Sequence, residues 1–192
     1  MLRNQLIIGM VGEKGAGKGT FAKFLQRIEP DSSYIRYSDI LADTLKKWSL
    51  PLTRVNYQTL ANTMEKTFGN GTMANATKSR IKKLPGRIVI VDGIRRWLEA
   101  KLIRSFPNSL IIYITADIKT RYRNLKKKSD KANEMGLSFK QFIKEEQDEA
   151  EILIPEIGKI ADHKIINNGS LDTFRRQVKK LYKKFRLQLG QS

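Results

Sequence analysis

Apolar and polar positions along this chain follow two periods, one of strands and one of helices. Leu6, Ile7, Ile8, Met10 and Val11 form a short apolar run without helical spacing, the pattern of a strand buried on both faces of a parallel sheet. Glycines break that run. From Thr20 onward Phe21, Phe24, Leu25 and Ile28 fall at i, i+3, i+4 and i+7, which predicts a helix lying on the sheet and closed by Pro30. Residues 34–37 predict a second strand, followed by a helix whose Leu41, Leu45 and Trp48 share one face and which ends near Pro51. Residues 52–84 read as mostly helical and polar. The β-branched run at 88–91 predicts a third buried strand that ends at Asp92-Gly93 and so brings a carboxylate to the sheet's edge. Residues 110–115 predict a fourth.

Beyond it, Ile118, Tyr122 and Leu125 have helical spacing, and the basic stretch Lys126, Lys127, Lys128 leads through Gly136 into a helix with Phe139, Phe142 and Ile143. Residues 163–166 predict a short fifth strand. Asn168-Gly169 turns the chain, Ser170 stands as an N-cap, and Leu171, Phe174, Val178, Leu181 and Phe185 stripe a closing helix. Strands alternating with helices predict an α/β fold with a five-stranded parallel sheet flanked by helices, in a single domain over 1–192. The two longest departures from that alternation, 40–84 and about 119–158, are expected as insertions at the sheet's carboxyl edge, where open α/β sheets bind ligands.

Composition narrows the chemistry. The chain has 192 residues, no cysteine and one histidine, His163, which excludes thiol nucleophiles and structural zinc sites and leaves a Ser-His-Asp triad only His163 to draw on. What remains is Lys, Arg, Asp, Glu and the backbone; His163, on a strand, reads as structural. The first apolar run is too short for a signal sequence, and no stretch approaches the ~20 apolar residues of a membrane span. The expectation is a cytoplasmic protein with no membrane partner, and the sequence is silent on oligomeric state. With 37 Lys and Arg against 19 Asp and Glu, the formal charge is +18, a field that attracts nucleotides, phosphorylated metabolites, nucleic acid or acidic lipid.

The glycine loop selects among these. Gly12-Glu13-Lys14-Gly15-Ala16-Gly17-Lys18-Gly19-Thr20 follows a strand and opens a helix, the context a phosphate loop (P-loop) requires. Glycines let successive N–H groups curl round phosphate oxygens, the helix N-terminus adds about half a positive charge, and Lys18 bridges the outer phosphates. Gly12, Lys14, Gly15, Ala16, Gly17, Lys18, Gly19 and Thr20 are therefore the expected nucleotide-binding residues. The general pattern places Ser or Thr directly after the lysine; here Gly19 intervenes, so Thr20 contacts phosphate while magnesium is held largely through water.

That deviation resembles the Gly-x-x-Gly-x-Gly-Lys-Gly-Thr loop of adenylate kinase and related nucleoside monophosphate kinases. Asp92-Gly93-Ile94-Arg95-Arg96 is similar to the Asp-Gly-x-x-Arg segment of adenylate kinases, and more so to the Asp-Gly-Ile-Arg of dephospho-CoA-kinase-like, adenylate-kinase-related proteins. Residues 162–170 resemble that group's strand and turn near the adenine, which implies Asn167 and Asn168 as nucleotide contacts. The resemblance implies a P-loop NTPase fold with an acceptor-binding insertion and a mobile lid. It also implies ATP and magnesium as cofactors, with Thr20 and Asp92 toward the metal. The implied acceptor site comprises Arg36, Asp39, Asp92 and either Arg95 or Arg96. Lys18, Arg95 and the lid cations Arg121 and Arg123 are the implied catalytic residues, since phosphoryl transfer depends on positioning and charge neutralisation. A solvated helix-cap role is the alternative for Asp92. The usual lid arginine is replaced by Asn124, and Lys126, Lys127 and Lys128 supply charge without a planar fork.

Three features stand outside this motif set. Arg175, Arg176, Lys179, Lys180, Lys183, Lys184 and Arg186 make a basic face on the last helix, either solvated or able to hold nucleic acid. Glu145, Glu146, Asp148, Glu149 and Glu151 occupy helical positions that point around a cylinder, so pairing with nearby lysines is expected rather than a metal site. Trp48, Tyr57 and Trp97 either line an acceptor pocket or, as aromatics on helical stripes more often do, join the core. The leading expectation is an ATP-dependent kinase acting on a nucleotide-like small molecule, foremost a nucleoside monophosphate. The alternatives are dephospho-CoA kinase and a nucleic-acid-binding P-loop ATPase or regulatory module.

Overall fold

A computed structural model of the chain describes residues 5–128 and 137–189. Five parallel strands, β1 (Leu6–Val11), β2 (Ser32–Arg36), β3 (Ile88–Ile94), β4 (Ser109–Thr115) and β5 (His163–Ile166), form one sheet in the order β2-β3-β1-β4-β5. The central strand β1 is buried at every residue, with Leu6, Ile7, Ile8, Met10 and Val11 each 0–1% exposed. Burying each such side chain contributes about 1.5–3 kcal/mol. Alternate residues feed opposite cores. Leu6, Ile8 and Met10 join Ile88, Ile90, Ile112 and Ile114 on one face; Ile7 and Val11 join Val89, Val91 and Ile111 on the other.

On the first face lie α1 (Lys18–Ile28), through Phe21, Phe24 and Leu25, and the closing helix α10 (Leu171–Leu189), through Phe174, Val178, Leu181 and Phe185. Ser170 accepts a 3.2 Å hydrogen bond from the Thr173 amide, the N-cap the sequence implied. Leu171, expected in the apolar stripe, is 59% exposed because it precedes the turn that reaches the sheet. The opposite face is covered by α4 (Thr72–Ile81), α5 (Trp97–Arg104) and α9 (Ile154–Lys159). Between β2 and β3 the chain inserts α2 (Tyr37–Lys47) and α3 (Arg54–Phe68), which share a small core of Leu41, Leu45 and Leu60 with Tyr57 packed against it. After β4 come α6 (Ile118–Lys128), α7 (Phe139–Glu145) and the short α8 (Glu149–Ile152). Gly136 and the side chain of Lys128 lie outside what is described.

Several expectations need correction. Trp48 is the residue after α2 and is 61% exposed, and Trp97 at the start of α5 is 40% exposed, so of the three aromatics only Tyr57 packs against a core. Tyr37 opens α2 rather than ending β2, because the Asp39 carboxylate turns back to the Arg36 amide at 2.8 Å and starts the helix there. Strand β3 does not stop at Asp92: it runs to Ile94 through a bulge, with Asp92 beside Met10 and Ile94 beside Val11. Gly93, at φ 96°, supplies the left-handed residue that the bulge requires.

Candidate active site

All five strands end at the same edge, and the loops leaving them gather there. The loop from Gly12 to Gly17 leaves β1 between β3 and β4 and enters α1, whose N-cap is Gly17. That helix has no side-chain cap and no acidic residue in its first turn, so the positive end of its dipole faces the loop unneutralised. Gly15, at φ 79°, lies against α6 so closely that a Cβ there would meet the Arg121 carbonyl oxygen at 2.2 Å. Two asparagines brace the loop: Asn124 Nδ2 donates to the Gly15 carbonyl at 3.1 Å and Asn167 Nδ2 to the Ala16 carbonyl at 2.9 Å. Asn168 Oδ1 accepts from the Asp117 amide at 2.8 Å. Asn124, which stands where the resemblance expects an arginine, is thus a structural strut of the phosphate loop.

Lys18 curls back over the loop, donating to the carbonyls of Gly12 at 2.5 Å and Glu13 at 3.1 Å. Burial pushes its ammonium below the usual lysine range, the neighbouring Asp92 opposing and Arg95 reinforcing the shift. Thr20, in the first turn of α1, donates its amide to the Gly17 carbonyl at 2.9 Å. Asp92 is 8% exposed; its Oδ2 accepts from the Tyr34 hydroxyl at 2.7 Å, whereas Oδ1 is buried without a partner among the described residues. Tyr34 in turn accepts from Arg36 Nε at 3.0 Å, so Arg36 reaches Asp92 through a phenol. Burial, reinforced by Asp92, raises the Tyr34 hydroxyl and keeps it a donor. Sequence reasoning passed over Tyr34, although on a strand the i, i+2 spacing places it on the same face as Arg36.

The Asp-Gly-Ile-Arg-Arg turn is held by Glu99, one carboxylate oxygen of which accepts from the amides of Arg95 at 2.6 Å and Arg96 at 3.1 Å. Desolvation raises the Glu99 carboxyl, with those two amides opposing. Glu99, three residues after the Arg96 N-cap, supplies the carboxylate half of a capping box, a spacing the sequence carries.

The acidic segment behaves differently from its expected pairing with nearby lysines. Glu145 binds Lys14 of the phosphate loop at 3.1 Å and lies 3.7 Å from Arg54. Asp148 pairs with Arg54, Glu151 with Arg95 at 3.1 Å, and Glu146 grips Arg121 through both guanidinium nitrogens, one at 2.7 Å. The partners lie far away in sequence because α7 and α8 fold over the loop. Three cations expected to meet phosphate are thereby neutralised by carboxylates of one short segment; the side chain of Glu149 lies outside the described residues.

Arg121 is buried at 7% exposure, donates Nε to the Ala116 carbonyl at 2.9 Å and lies over Phe142. Arg123 sits about 200° further round α6; it is exposed and bonds Thr120 of its own helix, and no contact among the described residues brings it to the loop. Arg36, Arg95 and Arg96 are exposed at the strand ends, while Asp39 is engaged as the cap of α2. Beside the loop, Glu13, Arg121, Glu146, Gln147, Glu151, Ile152 and Pro155 line a cleft of about 210 Å³, below the roughly 300 Å³ at which small-molecule pockets begin. Glu13 accepts from the Tyr113 hydroxyl, which burial and that bond push up to about 12, while its second oxygen is buried without a partner among the described residues.

No family model matches the chain. Among known proteins it is similar to a UPF0200 protein of Sulfurisphaera tokodaii, 29% identical over 178 residues that cover 93% of this chain and 96% of that one. Among solved structures, TT1252 from Thermus thermophilus aligns at a TM-score of 0.62 and 18% identity, covering 95% of this chain and 98% of the other. Shikimate kinase from Acinetobacter baumannii, in complex with shikimate, aligns at 0.55 and 11% identity over 97% of each chain. The strand order β2-β3-β1-β4-β5, the glycine loop after β1 and these overlaps together give the fold: a five-stranded parallel α/β sheet flanked by helices, like that of the shikimate kinase structure.

Proposed function

We propose that this protein transfers the γ-phosphoryl group of ATP to a nucleotide-like small molecule, with a nucleoside monophosphate as the favoured acceptor. The observation that carries the reading is the pairing of a phosphate loop, over which the Lys18 ammonium curls, with the Asp92 oxygen on the adjoining strand that has no partner among the described residues. A buried carboxylate oxygen without a donor calls for a partner, and a magnesium-bound water would satisfy it. Asp92, with Thr20, would hold magnesium in this way, and the metal would neutralise phosphate charge. Lys18 and the loop amides bind the donor phosphates; Lys14 and Arg121 join them by exchanging Glu145 and Glu146 for phosphate, and Arg95, on leaving Glu151, joins Arg36 at the acceptor. In the transfer an acceptor oxygen forms the new P–O bond as the bond to the ADP oxygen breaks, and cations stabilise the charge spread over the moving group.

Dephospho-CoA is the second acceptor, favoured by the Asp92-Gly93-Ile94-Arg95 run. Shikimate, bound in the shikimate kinase structure that has a like fold, serves as the non-nucleotide comparison. The test is an ADP-release assay over ribo- and deoxynucleoside monophosphates, dephospho-CoA and shikimate, with Lys18→Ala as control. The reading predicts release that depends on a nucleoside monophosphate or dephospho-CoA, not on shikimate, and is lost in the variant. Release that is independent of every acceptor, or undiminished in Lys18→Ala, contradicts it.

A further inference from the structure

The cations of α10 take no part in the site above. Within residues 175–186 stand Arg175, Arg176, Lys179, Lys180, Lys183, Lys184 and Arg186 with no acidic residue among them, and all seven are exposed. At about 100° per residue they cover roughly half the helix circumference, opposite the buried stripe Phe174, Val178, Leu181 and Phe185. They extend about 17 Å along the axis at ~1.5 Å per residue. Among the described residues only Arg175 of these seven has a carboxylate within ion-pair reach, Asp172 at 3.5 Å, whereas Arg54, Arg80, Arg95, Arg104 and Arg121 are all paired. The neighbouring helix extends the field, since exposed Arg27 of α1 joins Arg175 and Lys179 around a hollow of about 270 Å³ floored by Phe24 and Ile28.

We infer that this face is a docking surface for duplex DNA, held through phosphates without reading sequence. A helix about 10–12 Å across, cationic over half its circumference, matches a major groove about 12 Å wide with phosphates on both rims. The deep, narrow major groove of A-form RNA does not admit such a helix. Single strands need exposed rings for base stacking, and the nearby rings are otherwise engaged. Phe24 is 5% exposed beneath Arg175, and the Tyr182 hydroxyl bonds Glu29 at 2.7 Å. Gln177, an amide able to read a base, has its Oε1 buried.

The experiment is fluorescence anisotropy of a labelled duplex of about 20 base pairs, titrated with the full chain at salt between about 50 and about 200 mM. It compares wild type with Lys179→Gln/Lys180→Gln/Lys183→Gln and with a control of equal charge change on the opposite layer, Lys82→Gln/Lys83→Gln/Lys101→Gln. Thermal unfolding checks that each variant folds, and Lys→Arg at the first three positions retains binding. The α10 variant should lower the slope of log K against log salt by about 3, one for each lost phosphate contact, with the control within about 1 of wild type. Equal loss in both triple variants would overturn the inference in favour of net charge alone. Binding of duplex RNA, single-stranded DNA or poly-aspartate as tight as that of duplex DNA at the same salt would overturn it in favour of another polyanion.

Discussion

Glu146→Gln separates a structural Arg121 from one that meets phosphate. The pair is largely enclosed, with side-chain exposures of 8% for Arg121 and 19% for Glu146, and it is bidentate. Breaking a fully buried pair costs about 3–5 kcal/mol. Gln retains one acceptor and Glu146 touches solvent, so the expected loss is about 2 kcal/mol. For a domain of this size, at ~2–4 °C per kcal/mol, the apo Tm falls by about 4–8 °C. If ATP phosphates replace Glu146 on Arg121, the wild type must break that pair to bind and the variant need not. ATP affinity then rises in the variant by up to about 30-fold, the equivalent of about 2 kcal/mol, and saturating ATP removes most of the Tm deficit. Thermal unfolding with and without ATP, together with calorimetric Kd values, reads both quantities. An equal Tm loss in the two conditions with an unchanged Kd would refute the reasoning, because Arg121 would then keep a carboxylate partner throughout.

Further outcomes follow from the neighbouring groups. Asp92→Asn keeps an acceptor for Tyr34 but removes the charge; turnover should fall by about 100-fold or more, while ATP binding without magnesium stays unchanged, as calorimetry with and without the metal would show. Because burial lowers the Lys18 pKa in the folded chain, the unfolded chain binds the extra proton between that lowered value and 10.5, so Lys18 contributes a rise in stability with pH across that window. Bound phosphate raises the Lys18 pKa again, so ATP binding in the same window should take up a proton, measurable by calorimetry in buffers of different ionisation enthalpy. Glu99→Ala removes the acceptor shared by the Arg95 and Arg96 amides. It should cost about 1–2 kcal/mol in unfolding free energy and raise KM for the acceptor more than for ATP, as steady-state kinetics would show.

The elements that sequence reasoning placed best are those whose determinants are local. The five strands and the glycine loop follow from short apolar runs and φ-permissive residues, and the stripe of α10 from spacing alone. The site was legible as a set of residue types at the ends of strands, because a parallel sheet delivers every such end to one edge. Its pairing was not. Glu145, Glu146 and Glu151 meet Lys14, Arg121 and Arg95 only after α7 and α8 fold across the loop, and no periodicity encodes a contact over such sequence separations. Trp48 and Trp97 misled for a related reason: a residue at the boundary of a helix leaves the stripe that its spacing suggests. The continuation of β3 through Gly93 depends on register with β1, which is a property of the assembled sheet.

Phosphoryl transfer itself is tested most directly by following the fate of γ-labelled ATP with the acceptor panel present and resolving the products. The central claim predicts label on the acceptor, as a nucleoside diphosphate or as CoA, and none there when Lys18 is replaced by Ala. Label recovered only as inorganic phosphate, whichever acceptor is supplied, would contradict it and leave a nucleotide hydrolase on a kinase fold.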